Sequence, residues 1–143
     1  MAGLRALETL IRLRREALDG RRRALGDLES RRAALDREAA ALEARLVCEQ
    51  ETARAAPEAL YAYQAFARRV IAERAGLQQA GRALDDRIAA AREDLRVAFG
   101  ELKKFEIAHD QRVAAERRAE ERAAQKVLDE IAVETFRRGA RAQ

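Results

Sequence analysis

A chain of 143 residues and 16.0 kDa has room for one domain and little more. Charged residues make up 38% of it, hydrophobic types 48% and aromatics only 4%. Alanine, at 34 residues, and leucine, at 16, dominate the apolar share, so little of it is bulky enough to fill a spherical core. The excess of Ala, Glu, Leu and Arg with a single proline matches coiled coils and long helices instead. Lys and Arg total 29 against 25 Asp and Glu, a net charge of +4, split as 12 and 10 through residue 56 and 17 and 15 beyond it. No basic block stands apart to grip a polyanion, and an arginine-rich nucleic-acid binder is only an alternative reading.

Met1 to Arg15 places Arg5, Glu8, Arg12, Arg14 and Arg15 among its leucines, unlike a signal peptide, so the mature chain is expected to begin here. The longest charge-free run, Ala59 to Ala67, is nine residues, against about 20 needed to span a bilayer as a helix. The one cysteine, Cys48, has no partner for an internal disulfide, which points to a reducing, cytoplasmic setting.

Two rows of sevens run through the first third. Leu4, Ile11, Leu18, Leu25, Arg32, Ala39 and Leu46 form one; Leu7, Arg14, Arg21, Leu28, Leu35, Leu42 and Glu49 form the other, with three charged interruptions. A strict seven-residue repeat keeps one face buried only if the helix supercoils around a partner, so this is a coiled-coil helix. Pro57 then interrupts the phase, because proline lacks the N–H and either starts or kinks a helix. Beyond it the rows resume as Tyr63, Val70, Leu77, Leu84, Ala91, Ala98, Phe105 and Ala67, Arg74, Gly81, Ile88, Leu95, Leu102, His109.

The pattern predicts one elongated all-α domain over residues 1–143, an antiparallel two-helix coiled-coil hairpin with unequal arms. Helix one covers about 3–54, the turn lies near 55–57, and helix two covers about 57–138, ending at Gly139. A single kinked helix pairing with another chain is the alternative. At about 1.5 Å per residue the arms differ in length, so residues beyond about 112 lack an intramolecular partner. Their apolar marks, among them Val113, Val127, Leu128, Ile131 and Phe136, form a stripe too sparse for a solitary helix, which calls for a partner protein. Glu8 with Arg12, Asp19 with Arg23, Asp27 with Arg31 and Glu134 with Arg138 are spaced to support the helices locally.

Catalysis needs groups converging in a concave site, and a two-helix rod offers none. His109 is the only histidine and Ser30 the only serine, so no catalytic triad or histidine metal site assembles within one chain. No catalytic residue, cofactor or metal is expected. Tyr61, Tyr63 and Phe66 are half of the six aromatics and crowd the start of helix two. Core packing near the turn accounts for Tyr63. Phe66 lies outside both rows, and with Val70 at i+4 it reads either as more core or as an outward knob for a partner groove.

The opening Ala6-Leu7-Glu8-Thr9-Leu10, the segment Tyr63-Gln64-Ala65-Phe66 and the ending Lys126-Val127-Leu128-Asp129-Glu130-Ile131-Ala132 resemble the FliJ family of the bacterial flagellar export apparatus. The resemblance spans nearly the whole chain. It implies a non-enzymatic stalk similar to the central subunit of rotary ATPases, with its paired termini entering the hexameric export ATPase. Leu4, Leu7, Ile11, Val127, Leu128, Ile131 and Phe136 would then mark the ring-binding end. It also implies contact with the export gate protein FlhA through Phe66 and Val70, a role with export chaperones, and a cytoplasmic place at the inner membrane. The chain is unusually rich in Ala and Arg for the family. The equivalent stalk of virulence secretion systems is a close alternative.

Overall fold

The computed structural model describes residues 2–142. Helix α1 runs Ala2–Ala55, a single 3-10 turn covers Pro57–Ala59, and helix α2 runs Leu60–Ala142. The fold is all-α, with no strand among the described residues. Alanine, leucine, arginine and glutamate all favour helix, and no proline falls inside either element.

Pro57 sets the break. A residue before proline is pushed out of the helical region, and Ala56 is extended, with φ −137 and ψ 103. The Ala56 N–H still closes the last turn of α1 by donating to the Thr52 carbonyl at 3.2 Å. The Ala59 N–H donates to the Ala56 carbonyl at 2.9 Å, starting the next turn without any side-chain cap. The α-helical part of α2 thus begins three residues after the predicted start.

Its end also differs from the prediction at Gly139. A glycine ends a helix by turning left-handed, whereas no described glycine has a positive φ and α2 continues through Ala142.

Contacts group the chain into two units: a mid-chain unit, Ala17–Ala98, and a chain-end unit, joining residues up to Glu16 with those from Phe99 onward. Within each, α1 and α2 run antiparallel. In the mid-chain unit Arg21 donates to the Asp94 carbonyl at 3.3 Å, Arg92 meets Glu29 at 3.4 Å, and Arg74 grips Glu43 through two bonds of 2.6 and 2.9 Å. In the chain-end unit Arg14 meets Glu101 at 3.2 Å and Arg15 meets Glu106 at 3.1 Å.

The buried apolar side chains are Ile11, Leu18, Leu42, Val70, Ile88 and Leu102, and each belongs to one of the four predicted rows. All fourteen row members of α2 are buried or half-buried. In α1 only Arg14, Arg21 and Glu49, the three charged interruptions, are exposed.

Arg32 is a half-buried seam member of α1. Arg32 meets Asp85 at 2.9 Å across the helices and Asp36 at 2.6 Å along its own, and its guanidinium lies where a side chain at buried Gly81 would stand. A Cβ at Gly81 would come within 3.0 Å of the Arg32 Nη1, whereas one at Gly76 meets nothing within 4 Å. Replacing glycine by alanine in an open helix gains about 0.5–1 kcal/mol. Gly76→Ala is therefore expected to raise the urea midpoint, followed by circular dichroism, and Gly81→Ala to raise it less or lower it. Equal gains at both positions would refute the tight fit at Gly81.

Candidate partner-binding surfaces

In the mid-chain unit, the first turns of α2 present the aromatic cluster. Val70 sits on the seam row between Tyr63 and Leu77 and is only 2% exposed. Of the two readings of the Phe66 and Val70 pair, the outward one does not hold for Val70, because the heptad phase turns it inward. Phe66 is half-buried, and the Arg45 guanidinium of α1 lies over its ring, 5.7 Å from the centroid. That placement suits a cation over an aromatic face. The outward apolar groups of this region are others: Tyr61, 85% exposed, with Leu60, Ile71 and, on α1, Val47. Periodicity missed Tyr61, Leu60 and Ile71 because none lies on a row, although that same fact marks them as outward.

In the chain-end unit, the residues expected at the ring-binding end separate by helix. Ile11 is buried and Leu4 and Leu7 are half-buried, as seam members. They lie on the face of α1 that pairs with α2. Val127, Leu128, Ile131 and Phe136 on α2 are all exposed, Phe136 at 78%. Between residues 113 and 142 every residue is exposed except Glu116, which is half-buried. Val127, Leu128 and Ile131 continue Ala124 at i+3, i+4 and i+7, a helix stripe that is wide enough to dock on another surface. Of the local ion pairs expected, Arg138 meets Glu134 at 3.3 Å, while Asp19 pairs with Arg22 at 3.8 Å.

The grooves between the helices are shallow. The one along Leu35, Ala39, Leu42 and Leu77 encloses about 230 Å³, and the one lined by Ala33, Ile88 and Ala89 about 420 Å³. The rim charges of the first, Arg32, Asp36, Glu43 and Arg74, are spent on the pairs described above. Among the described residues no group of His, Cys, Asp and Glu is placed to hold a metal ion. Cys48 is exposed. No helix among the described residues is long and apolar enough to cross a membrane.

Ion pairs also join the helices in the chain-end unit. Lys103, at 3.1 Å, and Arg15 hold the Glu106 carboxyl below the usual carboxylate range. His109 Nε2 lies 3.3 Å from Glu8 Oε1 and Nδ1 lies 3.5 Å from Asp110 Oδ1. The Glu8 carboxylate raises the imidazole above its ordinary value; partial burial opposes this and Asp110 adds to it. The contacts of Arg15 with Glu106 and of Glu8 with His109 cross from α1 to α2.

The chain matches the family described as flagellar FliJ protein over residues 4–141. No curated protein and no solved structure matches it. The different burial of Val70 and Tyr61 separates core from surface near the turn. Val70→Ala is expected to cost about 2 kcal/mol in urea unfolding, and Tyr61→Ala less than about 0.5 kcal/mol. A Val70→Ala variant as stable as the parent would show that the seam does not run through this position.

Proposed function

The chain belongs to the flagellar FliJ protein family, and on that premise we propose that it is a non-enzymatic stalk of the flagellar export apparatus that docks on the export ATPase ring. The observation that supports this most directly is the stretch of α2 from residue 113 to 142. It is a helix of several turns whose apolar side chains, Val127, Leu128, Ile131 and Phe136, stay in water. A solitary helix of this kind is marginal, and each fully exposed leucine or valine leaves about 1.5–3 kcal/mol of burial unrealised.

On this reading the exposed α2 stripe makes the ring contact, and Leu4, Leu7 and Ile11 act by holding the start of α1 against α2. The arginines interspersed along the stretch, Arg117, Arg118, Arg122, Arg137 and Arg138, meet acidic groups of the ring, and added salt weakens the contact. The gate contact is assigned to the uncovered side of Phe66, with Val70 seating its helix from beneath. The protein works in the cytoplasm at the export gate, with FlhA and export chaperones as its other partners.

The deciding experiment measures ATP hydrolysis and ring assembly of the same organism's flagellar export ATPase, with the full chain and with the chain truncated after Arg122. Stimulation by the full chain that disappears on truncation is the expected result. An ATPase indifferent to both proteins in turnover, assembly and co-sedimentation would remove the stalk reading. Separately, Phe66→Ala is expected to weaken binding to the gate protein with helicity retained; unchanged gate affinity would free Phe66 from that role.

A further inference from the structure

His109 lies in a shallow groove of the chain-end unit, lined by Glu8, Ile11 and Arg15 of α1 and by Glu106 and Asp110 of α2. Each ring nitrogen faces a carboxylate oxygen, Glu8 on one side at 3.3 Å and Asp110 on the other at 3.5 Å. A neutral imidazole has one N–H and one lone pair, so it satisfies one of these contacts and sets a lone pair against a carboxylate at the other. Only the imidazolium donates to both.

Among the surrounding charges, the carboxylates favour the protonated ring and the cations are held by other groups. Three carboxylates, Glu8, Glu106 and Asp110, line the groove. From α1, Arg15 is drawn to Glu106, and Lys103 of α2 meets the same carboxylate. Arg112 of α2 lies against Gly3, where a Cβ would come within 2.6 Å of its guanidinium. Arg5 and Arg12 of α1 are exposed. The imidazolium is the cation that reaches Glu8 from across the helix pair.

We infer that His109 is a proton-operated clasp: protonated, it ties the first turns of α1 to α2 through Glu8, and deprotonated, it releases them. The segment it governs includes Leu4 and Leu7, half-buried members of the seam, so release exposes apolar surface in the unit that also contains the stripe of α2. Because the folded-state pKa is raised above the ordinary 6.5, the clasp is fully present below that value and is lost as pH rises through the folded-state pKa. The loss therefore falls above the pH at which an ordinary histidine titrates. The clasp is a property of the isolated chain and stands independently of the ring-docking proposal.

Hydrogen exchange of the α1 amides of residues 4–11, corrected for intrinsic rate, tests it between about pH 5.5 and 8.5. Amides of the mid-chain unit in the same sample serve as reference. Relative protection in the parent is expected to fall by about two- to five-fold across the range, as befits an exposed ion pair. His109→Gln should be flat with pH, and His109→Arg should stay protected throughout. In parallel, Glu8→Gln should lower the midpoint of the His109 ring titration seen by NMR. An equal pH slope in the parent and His109→Gln, or a midpoint unmoved by Glu8→Gln, overturns the clasp. If His109→Gln loses helicity at every pH, the Glu8→Gln titration decides alone, because it leaves the imidazole in place.

Discussion

A guanidinium placed in an apolar seam needs both space and carboxylates, and Arg32 finds them at one alignment of the two helices. Gly81 supplies the space and Asp85 and Asp36 the charge. This matters because the seam of the mid-chain unit is rich in small side chains such as Ala39, Ala67 and Ala91, which fit one another at many offsets. A seam of that kind sets register weakly; a polar residue within it sets register well, at some cost in stability. Once Arg32 is opposite Gly81 and Asp85, Glu29 reaches Arg92 and Glu43 reaches Arg74. Exposed pairs like these add little stability each. Their effect is selection: a slip of one heptad would leave Arg32 under a side chain and apart from its acid.

The chain-end unit shows the opposite arrangement beyond the paired stretch. Continuing the two seam rows of α2 past Phe105 and His109 gives Arg112, Ala119 and Lys126 on one and Glu116, Ala123 and Glu130 on the other. No second helix of this chain could bury such rows. The apolar residues Ala124, Val127, Leu128 and Ile131 meanwhile follow a stripe in another phase. The change of phase separates two tasks along one helix. The first rows hold α1, and the later stripe is free to meet a surface that is not α1. The family match extends over both, through residue 141.

Charge takes three physical forms here. Arg32 is constrained between helices, Arg45 covers an aromatic ring, and His109 stands between two acids. The first two are permanently charged and therefore behave as fixed structure. His109 is the member of the set whose charge is negotiable near neutral pH, and it stands where α1 starts and where the paired part of α2 gives way to the exposed part.

The period of the sequence alone determined the two helices and their seam faces, since leucines and alanines spaced by seven can be buried only by supercoiling against a partner. Pro57 alone determined the break, because it removes an N–H and forces Ala56 out of the helix. The family resemblance, too, was legible in Ala6 to Leu10, Tyr63 to Phe66 and Lys126 to Ala132. Which side chains would remain for partners was not. Val70 at i+4 from Phe66 looked like an outward pair, yet its row put it in the core. Leu4, Leu7 and Ile11 are seam members, and how far each is covered was visible only in the folded pair. The pairings Arg32 with Gly81, Arg45 with Phe66 and Glu8 with His109 join residues 21 to 101 positions apart. Local propensity contains no information about them, since they exist only after the antiparallel register has brought distant residues to the same level, and that alignment belongs to the tertiary structure.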